Sequence, residues 1–323
     1  MDKRKVVFDF IVIMSAFLVF TLWYSRVYNH ETAVTTVNDS EEVVYYLIPH
    51  EFNSEFWRTL NGGVSDMANL LGVSYILKVP KNRDPQDQIK LIQEAVENGA
   101  DVILLGSLDP DVVSSAVEDA QSKGVKFIYV DAPGKVEATT TLATDNYQAG
   151  RIAAETIIKE LEAVGIESGS IGLLGITPET ITTSERERGF KEVIISNNRY
   201  TLLDSVYTKA DIELAEAAAK DYIESNQDLV GIFATNEENT VGLGNAIKDS
   251  SKNIVGVGFD LTRTIQDMIR AGDLNAVLVQ NPYTMGYLGM AEAYAAAKGY
   301  STGPKFINTG VSIVDKYTPK RIN

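Results

Sequence analysis

The stretch RDPQDQIKLIQEAVENGADVILLGS, residues 83–107, decides the fold. Asp84 stands where an N-cap side chain would accept a backbone N–H, Pro85 fits the first helical turn, and Gly99 closes the helix. "DVILLGS" then runs apolar without alternation, the pattern of a strand covered on both faces. A helix stepping directly into such a strand implies a parallel sheet with helices on either side.

Working outward, the same alternation extends in both directions. Upstream lie a strand at "VVYYLIP", a helix over Glu55–Leu71 that stops at Gly72, and a strand at "SYILKVP". Downstream follow a helix over 111–123, closed by Gly124, and strands at "KFIYVDA" and "TTTLATD". The pattern then restarts. Helices are expected over 146–164, 185–196, 211–225, 237–249, 262–271 and 284–298. Strands are expected at "SIGLLGI", "YTLLDSVYT", "LVGIFATN", "NIVGVGFD", "NAVLVQN" and "TGVSIVD". These are too many strands for one modest sheet, so the expectation is two doubly wound lobes dividing near Asp145. The lobes are assigned to 43–144 plus 281–309 and to 145–280 plus 310–323.

Composition narrows the function. The net charge of −15 repels phosphate backbones, which argues against a nucleic-acid partner. There is no cysteine, hence no disulfide, thiolate metal site, Cys nucleophile or lipid-modified cysteine. His30 and His50 are the only imidazoles and cannot by themselves build a His-rich metal site. Neither a metal nor a cofactor is expected.

The N-terminus reads as a membrane anchor over residues 1–25. Lys3, Arg4 and Lys5 precede the run VVFDFIVIMSAFLVFTLWY, 6–24, which is about long enough to cross a bilayer. The basic cluster places the start of the chain in the cytoplasm, and Trp23 and Tyr24 suit the membrane interface. No pair of small residues offers a cleavage site, because Trp23 spoils Ser25 and Glu31 spoils Ala33. An uncleaved single-pass helix is expected, followed by a polar tether over 26–42, with the rest of the chain on the extracytoplasmic side.

In open parallel sheets ligands bind beyond the carboxyl ends of the strands. At those ends stand Asn53, Ser54, Phe56 and Trp57, then Asp131, then Thr144, Asp145 and Asn146, and Arg186 a little after the next strand. Asn236, Phe259 with Asp260, and Gln280 with Asn281 complete the series. Carboxylates, amides and a guanidinium engage neighbouring hydroxyls, and aromatic faces pack on the C–H face of a sugar ring. The set therefore suits a polyol, with Phe56 and Trp57 lining a cleft and not the core. Each residue also has an ordinary role open to it. Asp131, Asn236 and Asp260 could cap helices, Phe56 could be core, and Arg186 could pair with Glu185 or Asp211.

The stretches "NSEFW", "QIKLIQEAVENGADVILL", "FIYVDA", "TDNYQAG", "SERERGF", "IFATNEENTVGLGNAI", "VGVGFD" and "VQNP", in this order, resemble the type I periplasmic sugar-binding proteins of the ribose-binding kind. These share a fold with the ligand domains of LacI-type repressors. The resemblance runs from about Val43 to the C-terminus. It implies two lobes joined by three crossings that close over a monosaccharide. It carries the contact positions to Phe56, Trp57, Asp131, Arg186, Asn236, Asp260 and Gln280, with Ser54 and Thr144 beside them. Two departures stand out. The family often has Arg directly after the aspartate matched by Asp131, where this chain has Ala132. An aromatic often found in the second lobe is Ala210.

Rival classes find little in the chain. "VGVGFDLTRT" has Gly256 and Gly258 after a strand, but Leu261 breaks the dinucleotide fingerprint. Asn61–Gly62–Gly63 lies inside a helix without a P-loop Lys. Ser184 has no evident His partner for a triad. Asp109 and Asp111 read as a loop and helix cap. No enzyme activity and no catalytic residue are expected. A repressor would need a helix-turn-helix before residue 43, where the anchor and tether lie. Two binding roles remain. One delivers sugar to an ABC importer through its permease. The other reports occupancy to a membrane histidine kinase.

Overall fold

The computed structural model describes residues 43–318. The expected membrane anchor and the polar tether lie outside these residues. Among the described residues no helix is long and apolar enough to cross a membrane.

The described chain builds two sheets. The first contains β1 (Tyr45–Ile48), β2 (Tyr75–Leu77), β3 (Val102–Leu105), β4 (Lys126–Val130), β5 (Thr140–Ala143) and β12 (Phe306–Asn308), in the order β12-β5-β4-β3-β1-β2. Its pairings are parallel. The second contains β6 (Gly169–Gly175), β7 (Tyr200–Leu202), β8 (Val206–Tyr207), β9 (Leu229–Ala234), β10 (Val255–Phe259), β11 (Ala276–Gln280) and β13 (Val311–Asp315). Its order is β13-β11-β10-β9-β6-β7, with β8 also on β6. Only the last strand, β13, runs antiparallel to its neighbour, β11. Without β12 and β13 the two sheets repeat one doubly wound order, in which each strand order reverses at a central pair: β1 and β3, then β6 and β9.

The helices are α1 (Glu55–Leu71), α2 (Pro85–Glu97), α3 (Pro110–Ser122), α4 (Asn146–Ala163), α5 (Ile181–Asn197), α6 (Ile212–Ser225), α7 (Glu237–Asp249), α8 (Arg263–Ala271) and α9 (Pro282–Ala297). The caps read from sequence are present. Asp84 accepts from Gln86 N–H, Asp109 from Asp111 and Val112 N–H, and Gly72 ends α1 in the left-handed region. Burial separates the core into layers on either face of each sheet. Leu47, Leu104 and Ile128 face α1 and α9, while Ile48, Ile103 and Phe127 face α2 and α3. The strands are apolar throughout because both faces are covered.

Three local expectations change. "YTLLDSVYT" is not one strand: it breaks into β7 and β8 on either side of Leu203–Asp204–Ser205. Helix α5 begins at Ile181, four residues before the expected 185, with Thr180 at its N-cap position and no side-chain capping bond to mark the start in the sequence. A short strand, β12, precedes the final one and returns the chain to the first sheet before β13 joins the second.

Close helix contact sets the frame of each lobe. A Cβ on Gly286 of α9 would fall 1.9 Å from the Leu60 carbonyl oxygen of α1. A Cβ on Gly150 of α4 would fall 1.9 Å from the carbonyl oxygen of Arg186 on α5. Neither position admits a side chain without backbone movement. The second contact brings Arg186 up against the start of α4.

Candidate ligand-binding site

A cavity of about 310 Å³ lies at the carboxyl ends of β10 and β11 against the first turns of α1 and α7, and Asp131, Arg186 and Asn236 stand outside its lining. The first-sheet side supplies Glu55, Phe56 and Thr59 from α1. The second-sheet side supplies Glu237, Asp260 and Gln280.

Two aspartates hold equivalent places. Asp131 follows β4 with φ 67°, and its N–H donates to Leu142 O on β5 at 2.8 Å. Asp260 follows β10 with φ 67°, and its N–H donates to Leu278 O on β11 at 2.7 Å. Left-handed backbone at a non-glycine residue is uncommon, and such geometry clusters at ligand sites. Neither residue caps a helix: Asp131 precedes a loop, and Thr262 caps α8. Burial raises both carboxyls above the ordinary carboxylate range, Asp131 to about 7, while the Arg186 guanidinium pulls against it in each case.

Arg186 is only 3% exposed. Its Nε donates to Asn146 Oδ1 at 2.8 Å and its Nη1 to Thr235 O at 2.7 Å. Its guanidinium carbon lies 3.6 Å from the centre of the Phe259 ring. Burial lowers its pKa, and the charges of Asp260 and Asp131 oppose that fall. The surface pairings open to it in the sequence are taken otherwise: Glu185 binds Arg188, and Asp211 caps α6.

Asn236 sits at the N-cap position of α7, yet its side chain makes no capping bond. Its Nδ2 pairs with Glu238, and its Oδ1 is buried with no hydrogen-bond partner among the described residues. A buried acceptor left unmet is costly, and a ligand donor would satisfy it. Gln280 Nε2 donates to Asp260 Oδ1 at 2.9 Å, and Thr144 Oγ1 donates to Gln280 Oε1 at 2.9 Å. Thr144 therefore stands one bond behind the cleft surface.

The two aromatics separate. Phe56 is half-buried on the cavity wall. Trp57 is 5% exposed and belongs to the core with Leu60 and Val64. Its indole covers Gly106, where an added Cβ would lie 2.4 Å from it, and its ring centre is 5.0 Å from that of His50. The expectation that Trp57 lines the cleft is corrected: neighbours on a helix point about 100° apart, so one of the two turns inward. Ser54 is also occupied otherwise, accepting the Trp57 N–H at 3.4 Å as the cap of α1. Burial pushes His50 down to about 4, so its ring is neutral and donates from Nε2 to Ser107 O at 2.8 Å.

Sequence reading missed Glu55, Thr59 and Glu237. An acid in the first turn of a helix is ordinary dipole compensation, so Glu55 and Glu237 carried no separate signal. Burial, reinforced by Asp260, Glu238, Glu55 and Glu51, pushes Glu237 up to about 7. Arg83, with φ 54° at the end of a 3-10 turn over Lys81–Arg83, was missed as well; its charge reaches Asp131 and Glu238. Among the described residues no cluster of His, Cys, Asp or Glu could hold a metal ion.

Parallel sheets of doubly wound order, with buried donors and acceptors at their strand ends, define a binding protein of the two-lobed α/β class. Residues 44–301 match the family described as periplasmic binding protein domain. The chain belongs to that family, in its type I sugar-binding branch. It is 28% identical to the ribose import binding protein of Haemophilus influenzae over 76% of this chain and 83% of that one. A carbohydrate transporter solute-binding protein from Agrobacterium radiobacter, solved with D-arabinose, superposes with a TM-score of 0.79. It is 27% identical and covers 86% of this chain and 95% of its own. An ABC transporter solute-binding protein from Agrobacterium vitis, bound with α-D-tagatopyranose, gives 0.78 at 25% identity over 85% and 95%.

Proposed function

We propose that the chain binds a neutral monosaccharide between its lobes, outside the cytoplasmic membrane, and delivers it to an ABC-type sugar importer. The lobes are those assigned from sequence, 43–144 plus 281–309 and 145–280 plus 310–323. The observation that carries the reading is the buried set around Asp260. Its carboxylate is held by Gln280, Arg186 is locked on Asn146 and Thr235, and the Asn236 acceptor is unmet. Such a set offers both donors and acceptors to a polyol. Phe56 supplies the ring face, and Asp131 the acceptor from the other lobe. Ser54, Thr144 and Trp57 then support the site from behind.

Calorimetry of the detergent-extracted full-length protein against pentoses, hexoses, polyols and amino acids tests this reading. One neutral sugar should bind without added metal or nucleotide. Binding of amino acids or charged ligands alone would sink it.

The anchor over 6–24 is part of the proposal, motivated by the missing cleavage pair and the absent lipid-accepting cysteine. Mass spectrometry of the membrane-extracted protein should find the segment retained, and an N-terminus beyond residue 25 would overturn it. A retained helix also favours a second role, in which the occupied protein signals to a membrane histidine kinase. Extraction with sugar present separates the two roles: a permease and ATPase co-purify in one, a kinase in the other.

A further inference from the structure

Among the described residues three crossings connect the two sheets. The first is Thr144–Asp145 between β5 and α4, the second is Asn281 between β11 and α9, and the third is Thr309–Gly310 between β12 and β13. Side chains tie each crossing to the others. Asn308 Oδ1 accepts the Asp145 N–H at 3.1 Å and the Gly310 N–H at 2.9 Å, joining the first crossing to the third. Asn281 Nδ2 donates to Thr309 O at 2.7 Å and to Gly310 O at 3.4 Å, joining the second to the third. Thr144 and Gln280 join the first to the second, and Gln280 continues to Asp260 in the cleft.

Asn281 stands at the N-cap position of α9 and makes no capping bond there. Its amide is spent on the third crossing instead. Gly310 takes φ 71°, so the third crossing turns through left-handed backbone at the point the two asparagines grip. The Thr309 hydroxyl beside it is buried with no partner among the described residues. The Thr309 N–H is held by the Ala143 carbonyl at 3.0 Å, whereas the Asp145 and Gly310 N–H and the Thr309 and Gly310 carbonyls take side-chain partners. The two side chains that pair them do not reach the cavity.

We propose that Asn281 and Asn308 are positioning residues that make the three crossings turn as one hinge and hold Gln280 against Asp260. This rests on the reading that a ligand closes the two lobes. Closure of such lobes is absorbed by torsion changes in a few crossing residues. Tied crossings restrict that motion to one coordinate. Untied crossings let the lobes sample orientations in which Asp131 and the Asp260–Arg186 set cannot meet one ligand. Apparent affinity then falls by the fraction of molecules left in the competent orientation.

The two asparagines act with opposite polarity, and this gives the test. Among the described residues Asn308 uses its oxygen as acceptor, whereas Asn281 uses its nitrogen as donor. Asn308→Asp keeps the acceptor and should bind within about twofold of the parent, while Asn308→Ala should lose about tenfold. Asn281→Asp removes the donor and sets a carboxylate against two carbonyl oxygens. It should lose at least as much as Asn281→Ala, about tenfold.

Calorimetry well below the unfolding midpoint measures affinity, using the sugar found in the panel. Small-angle scattering of the ligand-free protein measures the hinge. Both alanine variants should scatter as more expanded than the parent when free. A lowered midpoint with unchanged affinity and unchanged scattering would make the asparagines merely structural and overturn the proposal. Equal behaviour of the two aspartate variants would overturn the assigned polarity. Should the parent bind no sugar, the site reading fails separately. Scattering of the free alanine variants still decides the hinge: unaltered dimensions refute it.

Discussion

Asp131 leaves β4, and Asp260 leaves β10, with the same φ of 67° and the same backbone bond to the neighbouring strand. The surroundings of the two carboxylates differ. Asp260 has Gln280 on one oxygen and a guanidinium fixed by Asn146, Thr235 and the Phe259 ring nearby. Asp131 is followed by Ala132 and makes no side-chain hydrogen bond among the described residues. The second lobe therefore holds its polar groups in place before a ligand arrives. The first offers an aromatic wall and an acid whose partner the ligand must supply. A shared strand order sets where the two acids stand, and the neighbouring side chains decide which of them is preorganised. Groups fixed in advance lose less entropy on binding.

The largest effect expected from breaking this comparison is on stability, in the first lobe. Trp57→Ala removes a buried indole from the contact with Gly106, Leu60 and Val64, and should cost about 3–5 kcal/mol. Phe56→Ala, one residue earlier on the cavity wall, removes an edge contact with the Trp57 ring, so it should cost less stability, about 0.5–1.5 kcal/mol, and weaken sugar binding as well. Chemical denaturation and calorimetry on the pair measure the two effects. A stable Trp57→Ala protein with weakened binding would return the indole to the cleft.

The next effect separates the two aspartates. Asp260→Ala should weaken binding by about 2–4 kcal/mol, because it leaves Gln280 Nε2 and the sugar hydroxyls without their acceptor and the buried Arg186 without an opposing charge. Asp131→Ala strands no protein donor and should cost less, about 1–2 kcal/mol. Equal losses would mean that the second lobe gains nothing from being preorganised. Normal binding by Asp260→Ala would remove that residue from the site.

These contrasts also mark how far the sequence could be read. Strand ends were legible because apolar runs such as "DVILLGS" and "VGVGF" stop abruptly at polar residues. Asp131, Asn236, Asp260 and Gln280 all stand at or beside such stops. Arg186 was legible only as a residue a little after a strand, and its bonds were not, since it lies inside a helix and its partners are 40 and 49 residues away. Trp57 was misread because aromatic character does not distinguish a cleft wall from a core, and only the packing over Gly106 does. The break between β7 and β8 was invisible for a similar reason. Leu203 continues the apolar pattern of β7, while its N–H still reaches Ile171 O beyond the strand's end.

The smallest effect is on pH. In the free protein burial lifts Asp131 from 3.8 to about 7, against the pull of Arg186 and Arg83 and with the push of Asp260. The folded form therefore keeps a proton that the unfolded chain has lost above the ordinary carboxylate range. That contribution to stability is full below pH 3.8 and is lost as pH rises through 7. Glu237, lifted from 4.5 to about 7 on the opposite lip, acts in the same direction. Sugar hydroxyls donating to Asp131 favour its ionised form and pull its pKa back down. Binding just below neutral pH should then release a proton. Affinity should rise by up to about tenfold per pH unit as pH climbs toward 7, and level off above it. Calorimetry in buffers of different ionisation enthalpy counts the proton. Asp131→Asn should flatten the profile and Glu237→Gln should leave it, because only Asp131 is assigned to the sugar. If Glu237→Gln removes the dependence and Asp131→Asn does not, the proton belongs to the lip of the second lobe, and the ligand draws its acceptor from there.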